Sequence, residues 1–202
     1  LHAEEQGKVF AHRCAASLVK VLGGFDDRPL LTPAEIGPRD GPALVVVGSY
    51  VDRTSRQLDA LLSSRLAVDL ELRVDRLLDT DSRSREIGIV AAEADRRMRH
   101  GDSVAIYTSR TVVAGGGQES LRLGQLVMSS LVEVVRGLTA APGFVVAKGG
   151  ITSLEVAHRA LAAEKALVLG QILHGVPVWR LGSESRWPDV PYVVFPGNVG
   201  GD

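Results

Sequence analysis

Short apolar runs that each end in a glycine-bearing segment constrain this chain more than any other feature. Ala43-Leu44-Val45-Val46-Val47 is followed by Gly48-Ser49. Phe144-Val145-Val146-Ala147 leads into Lys148-Gly149-Gly150-Ile151-Thr152, and the run 191–195 leads into Pro196-Gly197-Asn198-Val199-Gly200-Gly201. The first two runs carry no polar alternation, the pattern of strands covered on both faces. Between the runs the apolar period lengthens to that of helices. The spacing predicts helices over 9–22, from Thr54 onward, around Ile87 to Met98, over 121–138 and after Thr152 to about Ala163. Gly23-Gly24 ends the first. Thr54 with Gln57 has capping-box spacing, and so has Thr152 with Glu155, which makes each threonine the expected helix cap. Val104 to Tyr107 reads as a further strand. Residues 68–74 alternate apolar with charged, as a half-exposed strand near an edge does. Residues 25–42 read as a surface connection. Residues 166–173 and 176–181 form a hairpin about His174-Gly175. Strands alternating with helices predict an α/β fold in three layers: a mainly parallel, mixed sheet, helices on both faces, and a late β-hairpin.

Composition removes several classes of function. The 202 residues carry a net charge of -1, so no basic field attracts a nucleic-acid backbone. No apolar run reaches the ~18–20 residues of a membrane span. The single cysteine, Cys14, excludes an internal disulfide framework and a thiolate zinc site, and fits a reducing cytoplasm. Leu1-His2-Ala3-Glu4-Glu5 lacks the basic and apolar segments of a signal peptide. The five histidines show no metal-ligand spacing.

The 22 glycines cluster at the ends of apolar segments, Gly115-Gly116-Gly117 included. Backbone amides at a helix start lack internal partners, and glycines there let an anion come close to them. Gly149-Gly150-Ile151-Thr152 therefore reads either as a phosphate-binding turn or as a capped strand-to-helix turn. Gly48-Ser49 taken alone is a plain turn. The 197–201 loop suits either a ligand or a flexible tail. What raises the ligand reading is that all three follow strands, and ligands of open α/β sheets collect at the carboxyl ends of strands. Neither the Walker spacing nor G-x-G-x-x-G occurs. Lys148 reads as solvated, although it could reach a phosphate. Thr108-Ser109-Arg110-Thr111 is a weaker anion candidate. No well-placed Glu or His stands near the glycine loops, and no catalytic residue is assigned.

The ordered set of segments resembles the C-terminal nucleotide-binding domain of the four-carbon acid sugar kinases. The resemblance rests on Val47-Gly48-Ser49 followed by Thr54 and Gln57, on Tyr107-Thr108-Ser109-Arg110 and on Lys148-Gly149-Gly150-Ile151-Thr152-Ser153. It continues through Leu169-Gly170-Gln171-Ile172-Leu173, Gly175-Val176-Pro177-Val178-Trp179 and Phe195-Pro196-Gly197-Asn198-Val199-Gly200. It implies ATP- and Mg2+-dependent transfer of a phosphoryl group to a terminal hydroxyl of a four-carbon sugar acid in the cytoplasm. It also implies that residues 1–202 are one lobe of a longer two-domain kinase whose substrate lobe is N-terminal and absent here. ATP contacts map onto Ser49, Gly149, Gly150, Ile151, Thr152, Gly197, Asn198 and Gly200. Asp52 stands where the family often has a second serine and inherits no role. Expected partners are ATP, a small sugar acid and the N-terminal lobe, with a homo-oligomer compatible and neither nucleic acid nor membrane involved. Two alternatives stay open: a non-catalytic nucleotide or sugar-phosphate binding module, and a sugar-phosphate isomerase, which the missing base disfavours.

Overall fold

The computed structural model describes residues 2–14, 16–37, 39–110 and 118–201. Thr111 and the triple glycine 115–117 lie outside the described residues. Helices α1 (His2–Glu5), α2 (Ala16–Leu22) and α3 (Pro33–Ile36) precede strand β1 (Ala43–Val47) and helix α4 (Asp52–Ser64). Next come β2 (Val68–Leu72), a 3-10 turn (Val74–Leu77), α5 (Thr80–Arg99), β3 (Val104–Thr108) and α6 (Gln118–Gly137). The chain continues with β4 (Phe144–Lys148), α7 (Gly150–Glu155), a π-helical turn (Val156–Ala160), β5 (Ala166–Leu173), β6 (Val176–Leu181) and β7 (Pro191–Phe195).

The seven strands form one sheet in the order β2-β3-β1-β4-β7-β6-β5. β2, β3, β1, β4 and β7 are parallel, while the hairpin β5-β6 adds antiparallel strands beyond β7. The α/β class, the mixed sheet and the late hairpin are those expected from the sequence, and β2 is an edge strand.

Alternation along the strands divides the core. Leu44, Val46, Val104, Ile106, Val145 and Ala147 face α5, α6 and the π-helical turn in the main cluster. Val146, Val193 and Phe195 face the opposite side, where they meet Leu31, Ile36, Val176 and Val178. α4 covers Val45 and Val47 on that second side. The chain thus leaves β1 toward α4 on one face and leaves β4 toward α7 on the other. Because β1 and β4 are neighbours in register, Val47 opposite Lys148, their departing loops splay apart. This is the switch point where open α/β sheets leave a crevice.

Three local expectations differ from the structure. The helix expected over 9–22 is formed only as Ala16–Leu22. Val9 is 96% exposed and Val19 and Val21 are exposed too, so the stripe packs on no core that could hold a longer helix. Thr54 does not cap α4, which starts at Asp52 behind Val51. Thr152 does not cap α7, whose cap is Gly149. Both threonines lie in the third helical position, fully or almost fully buried, where the next section finds their partners.

Packing of α6 on the sheet can be tested directly. Leu131 is fully buried and Leu121, on the same helix, is 69% exposed. Leu131→Ala should lower unfolding free energy by about 2–5 kcal/mol in urea titrations. Leu121→Ala should stay within about 0.5 kcal/mol of the parent.

Candidate functional site

A cleft of about 1050 Å3 opens at the carboxyl edge of the sheet, between the loops that follow β1, β4 and β7. Gly48, Ser49, Tyr50 and Val51 line it from the first loop, Gly149, Gly150, Ile151 and Thr152 from the second, and Gly197 and Asn198 from the third. α6 supplies the facing wall through Leu121, Gly124, Gln125, Met128 and Ser129. The structure therefore brings together seven of the eight positions to which the sequence assigns ATP contacts: Ser49, Gly149, Gly150, Ile151, Thr152, Gly197 and Asn198. Gly200 does not line the cleft. It turns the loop underneath, where a Cβ would stand 3.0 Å from Gln57 Nε2 and 3.1 Å from the Phe195 ring.

The three loops touch one another at distances that side chains would prevent. A Cβ at Gly48 would lie 2.5 Å from Thr152 Oγ1, and one at Gly197 would lie 2.8 Å from Ser49 Oγ. Gly149 has φ +118 and would bring a Cβ to 3.0 Å from both Ser49 Cβ and Thr152 Oγ1. That conformation is essentially reserved for glycine. It ends β4 with Gly149 N–H donating to Phe195 O at 2.8 Å, then turns the chain at once into α7. The amides of Gly150, Ile151 and Thr152, in the first turn, have no intrahelical acceptor. A Cβ at Gly150 would meet nothing within 4 Å. Positive φ thus belongs to Gly149, and Gly150 supplies open space in the cleft.

The two threonines with cap-like spacing serve this crossing instead. Thr54 Oγ1 lies 3.1 Å from Gly197 O and 3.3 Å from Ser49 Oγ, joining the first loop to the third. Thr152 packs its hydroxyl against Gly48 and Gly149. Gln57, the other half of the expected box, donates from Nε2 to Val199 O at 3.1 Å and Gly201 O at 2.6 Å. Glu155 reaches forward to Arg159, with 2.7 Å between Nη1 and the carboxylate.

Lys148 is not solvated; it is 6% exposed. It points away from the cleft into a smaller cavity of about 250 Å3 beneath α4, among Val45, Val47, Leu58, Leu61 and Val146. Its Nζ donates to Pro196 O at 2.7 Å and sits 3.8 Å from the centroid of the Phe195 ring. Burial, and then the nearby Arg53 charge, lower its pKa to about 8.

Arg110, from the weaker anion candidate, ties the first loop down. Its Nη1 donates to Ser49 O and its guanidinium lies 5.9 Å from the centre of the Tyr50 ring. Burial lowers its pKa, and its buried Nε and Nη2 have no hydrogen-bond partner among the described residues. Ser109 turns into the fold and accepts from Val74 N at 2.9 Å. Sequence reasoning read Glu155 only as the capping partner of Thr152, yet it lines the cleft. Its carboxylate is already engaged by Arg159.

Among the described residues no group of three or more His, Cys, Asp or Glu is placed to hold a metal ion. A ligand with phosphates fits the glycine walls and free amides. Among the described residues Mg2+ has no ligand set of its own, and it commonly arrives held by phosphates with one or two carboxylates. No helix is long and apolar enough to cross a membrane, judged over the described residues.

A family model described as a nucleotide-binding C-terminal domain matches residues 44–202. No curated protein matches the chain significantly. Among solved structures, a domain of unknown function (DUF1537) from Bordetella bronchiseptica, a domain-swapped dimer with bound citrate, superposes with a TM-score of 0.64 at 26% identity. The match covers 83% of this chain and 40% of that one. A structure from Salmonella typhimurium LT2, provisionally described as a tRNA synthase, gives a TM-score of 0.61 at 18% identity over 85% of this chain and 40% of that one, a likeness of fold alone. The chain thus spans less than half the length of the structures it matches.

Gly149 and Gly150 should respond oppositely to alanine. Gly149→Ala should cost about 1–3 kcal/mol in thermal or urea unfolding because of its backbone conformation. Gly150→Ala, in helical backbone with open space around it, should be neutral or slightly stabilising.

Proposed function

The chain belongs to the family of nucleotide-binding C-terminal domains, and from that premise we propose that it is the ATP-binding lobe of a kinase acting on four-carbon sugar acids. The observation that carries this reading is the convergence of three separate glycine loops on one cleft at the switch point. Bound ATP supplies the γ-phosphoryl group, which passes to a terminal hydroxyl of the acid. The amides of Gly150, Ile151 and Thr152 hold phosphate oxygens. Gly149 and Gly197 keep the walls close enough for backbone contact. Leu121, Met128 and Ile151 offer apolar surface to the base. Ser49 and Thr152 present hydroxyls at the junction of the loops.

The same cleft explains why this lobe should not act alone. Phosphoryl transfer depends on positioning and on neutralising charge around the transferred group. Among the described residues the cleft carries one carboxylate, that of Glu155, and Arg159 engages it. The sugar acid, the acidic residues near the phosphoryl group and the Mg2+ ligands then belong to an N-terminal lobe of the same protein, working in the cytoplasm.

Calorimetry should detect weak Mg-ATP binding and none for a four-carbon sugar acid alone; tight acid binding without nucleotide would contradict the assignment. Gly150→Val should melt with the parent yet lose Mg-ATP, because the side chain fills the phosphate space. Normal binding by a stable Gly150→Val protein removes this turn as the phosphate site. Sugar-acid-dependent ATP turnover should be absent from this lobe and appear only when an N-terminal lobe is joined to it.

A further inference from the structure

The loop after β7 is held by its carbonyl side. Arg53 Nη1 donates to Asn198 O at 2.7 Å, and Thr54 Oγ1 lies 3.1 Å from Gly197 O. Gln57 Nε2 takes Val199 O, and Lys148 Nζ takes Pro196 O at 2.7 Å, with Val199 O at 3.4 Å. Four consecutive carbonyls are thus drawn toward α4 and the underside of β4. In a planar trans peptide the next residue's N–H points opposite to the carbonyl. The amides of Gly197 and Asn198 donate to no backbone carbonyl in the described structure, and both residues line the cleft.

Lys148 is the buried cation of this set, and among the described residues no carboxylate neutralises it. α4 presents Arg53, Thr54 and Gln57 to it and β7 presents Phe195, so the charged group facing it is a cation. A buried ammonium without a counter-ion is costly. Here its donors end on peptide oxygens, which draws electron density through those peptides away from their N–H ends.

We propose that Lys148 is the positioning residue for the anionic part of the ligand: from below, it orients and polarises the Pro196–Gly197 peptide so that the loop turns its amides to the phosphates. This rests on the nucleotide reading of the cleft and adds to it a residue that touches no ligand. The charge has a titration window. Nζ is protonated below about pH 8 and loses its charge as pH rises through that value. A free lysine titrates near ~10.4, so between the two values the unfolded chain holds more protons and stability rises with pH. Ligand affinity falls across the same window. A merely structural lysine would not produce those opposite slopes.

The test is calorimetric titration of Mg-ATP and of Mg-tripolyphosphate into the parent, Lys148→Met and Lys148→Arg proteins at pH 7 and pH 9. The expected result is that Lys148→Met binds both ligands about tenfold or more weakly at pH 7, as loss of a charged hydrogen-bond donor implies. Lys148→Arg should retain most of the affinity. The parent should weaken from pH 7 to pH 9 while Lys148→Met does not. A folded Lys148→Met protein that binds both ligands like the parent overturns the proposal and leaves the nucleotide reading standing. If that variant fails to fold, a parent affinity that is flat from pH 7 to pH 9 overturns the proposal by itself. A parent that binds neither ligand at millimolar concentration removes the nucleotide reading, and this proposal with it.

Discussion

The cleft at the carboxyl edge of the sheet depends on one close contact, where the loop after β1 meets the turn after β4. Gly48 lies against the Thr152 hydroxyl, and Gly149 lies against Ser49 and Thr152 at once. Two parallel neighbouring strands send their chains to opposite faces, so their ends would separate unless something pulled them together. Removing side chains at Gly48 and Gly149 lets the backbones meet. Gly149 also lets β4 turn into α7 without an intervening loop, because only glycine accepts its backbone angles at low cost. The third loop is then pinned to the first by Thr54, which lies within hydrogen-bond distance of Gly197 O and Ser49 Oγ.

The arrangement separates two tasks across one thin layer of backbone. One side presents glycines, a helix start and the faces of Leu121, Met128 and Ile151. The other holds Lys148, Arg53 and Gln57, whose donors satisfy the loop's carbonyls. Charge is thus used beneath the site rather than inside it. Inside the cleft Arg159 is engaged by Glu155, and Arg110 sits behind Ser49 rather than in front of it.

Strand positions were legible because apolar runs bounded by glycine and proline have few alternatives. The runs at 43–47, 166–173, 176–181 and 191–195 are strands over those same residues. The convergence of three loops followed from their shared position after strands. Register-level details were not legible. Thr-x-x-Gln and Thr-x-x-Glu have the spacing of capping boxes, yet both helices start earlier, since Gly149 and Val51 can serve as caps without side-chain bonds. Once the helix starts earlier, the third-position threonine faces inward and finds a loop instead of its own backbone. Lysine after a buried strand reads as solvated on base expectation. Its burial depends on Phe195 and on carbonyls about fifty residues away in sequence, which local spacing does not encode. Membership of the nucleotide-binding C-terminal domain family agrees with the resemblance carried by the ordered motifs.

The most direct test of the central claim, that three loops form one anion-binding cleft, is residue-resolved NMR of the isolated chain titrated with Mg-ADP. The account predicts that the amides of Ser49, Gly150, Ile151, Thr152, Gly197 and Asn198 shift together along one saturating curve. Shifts confined to another surface, or movement of the Gly150 region without the 197–198 loop, would contradict it.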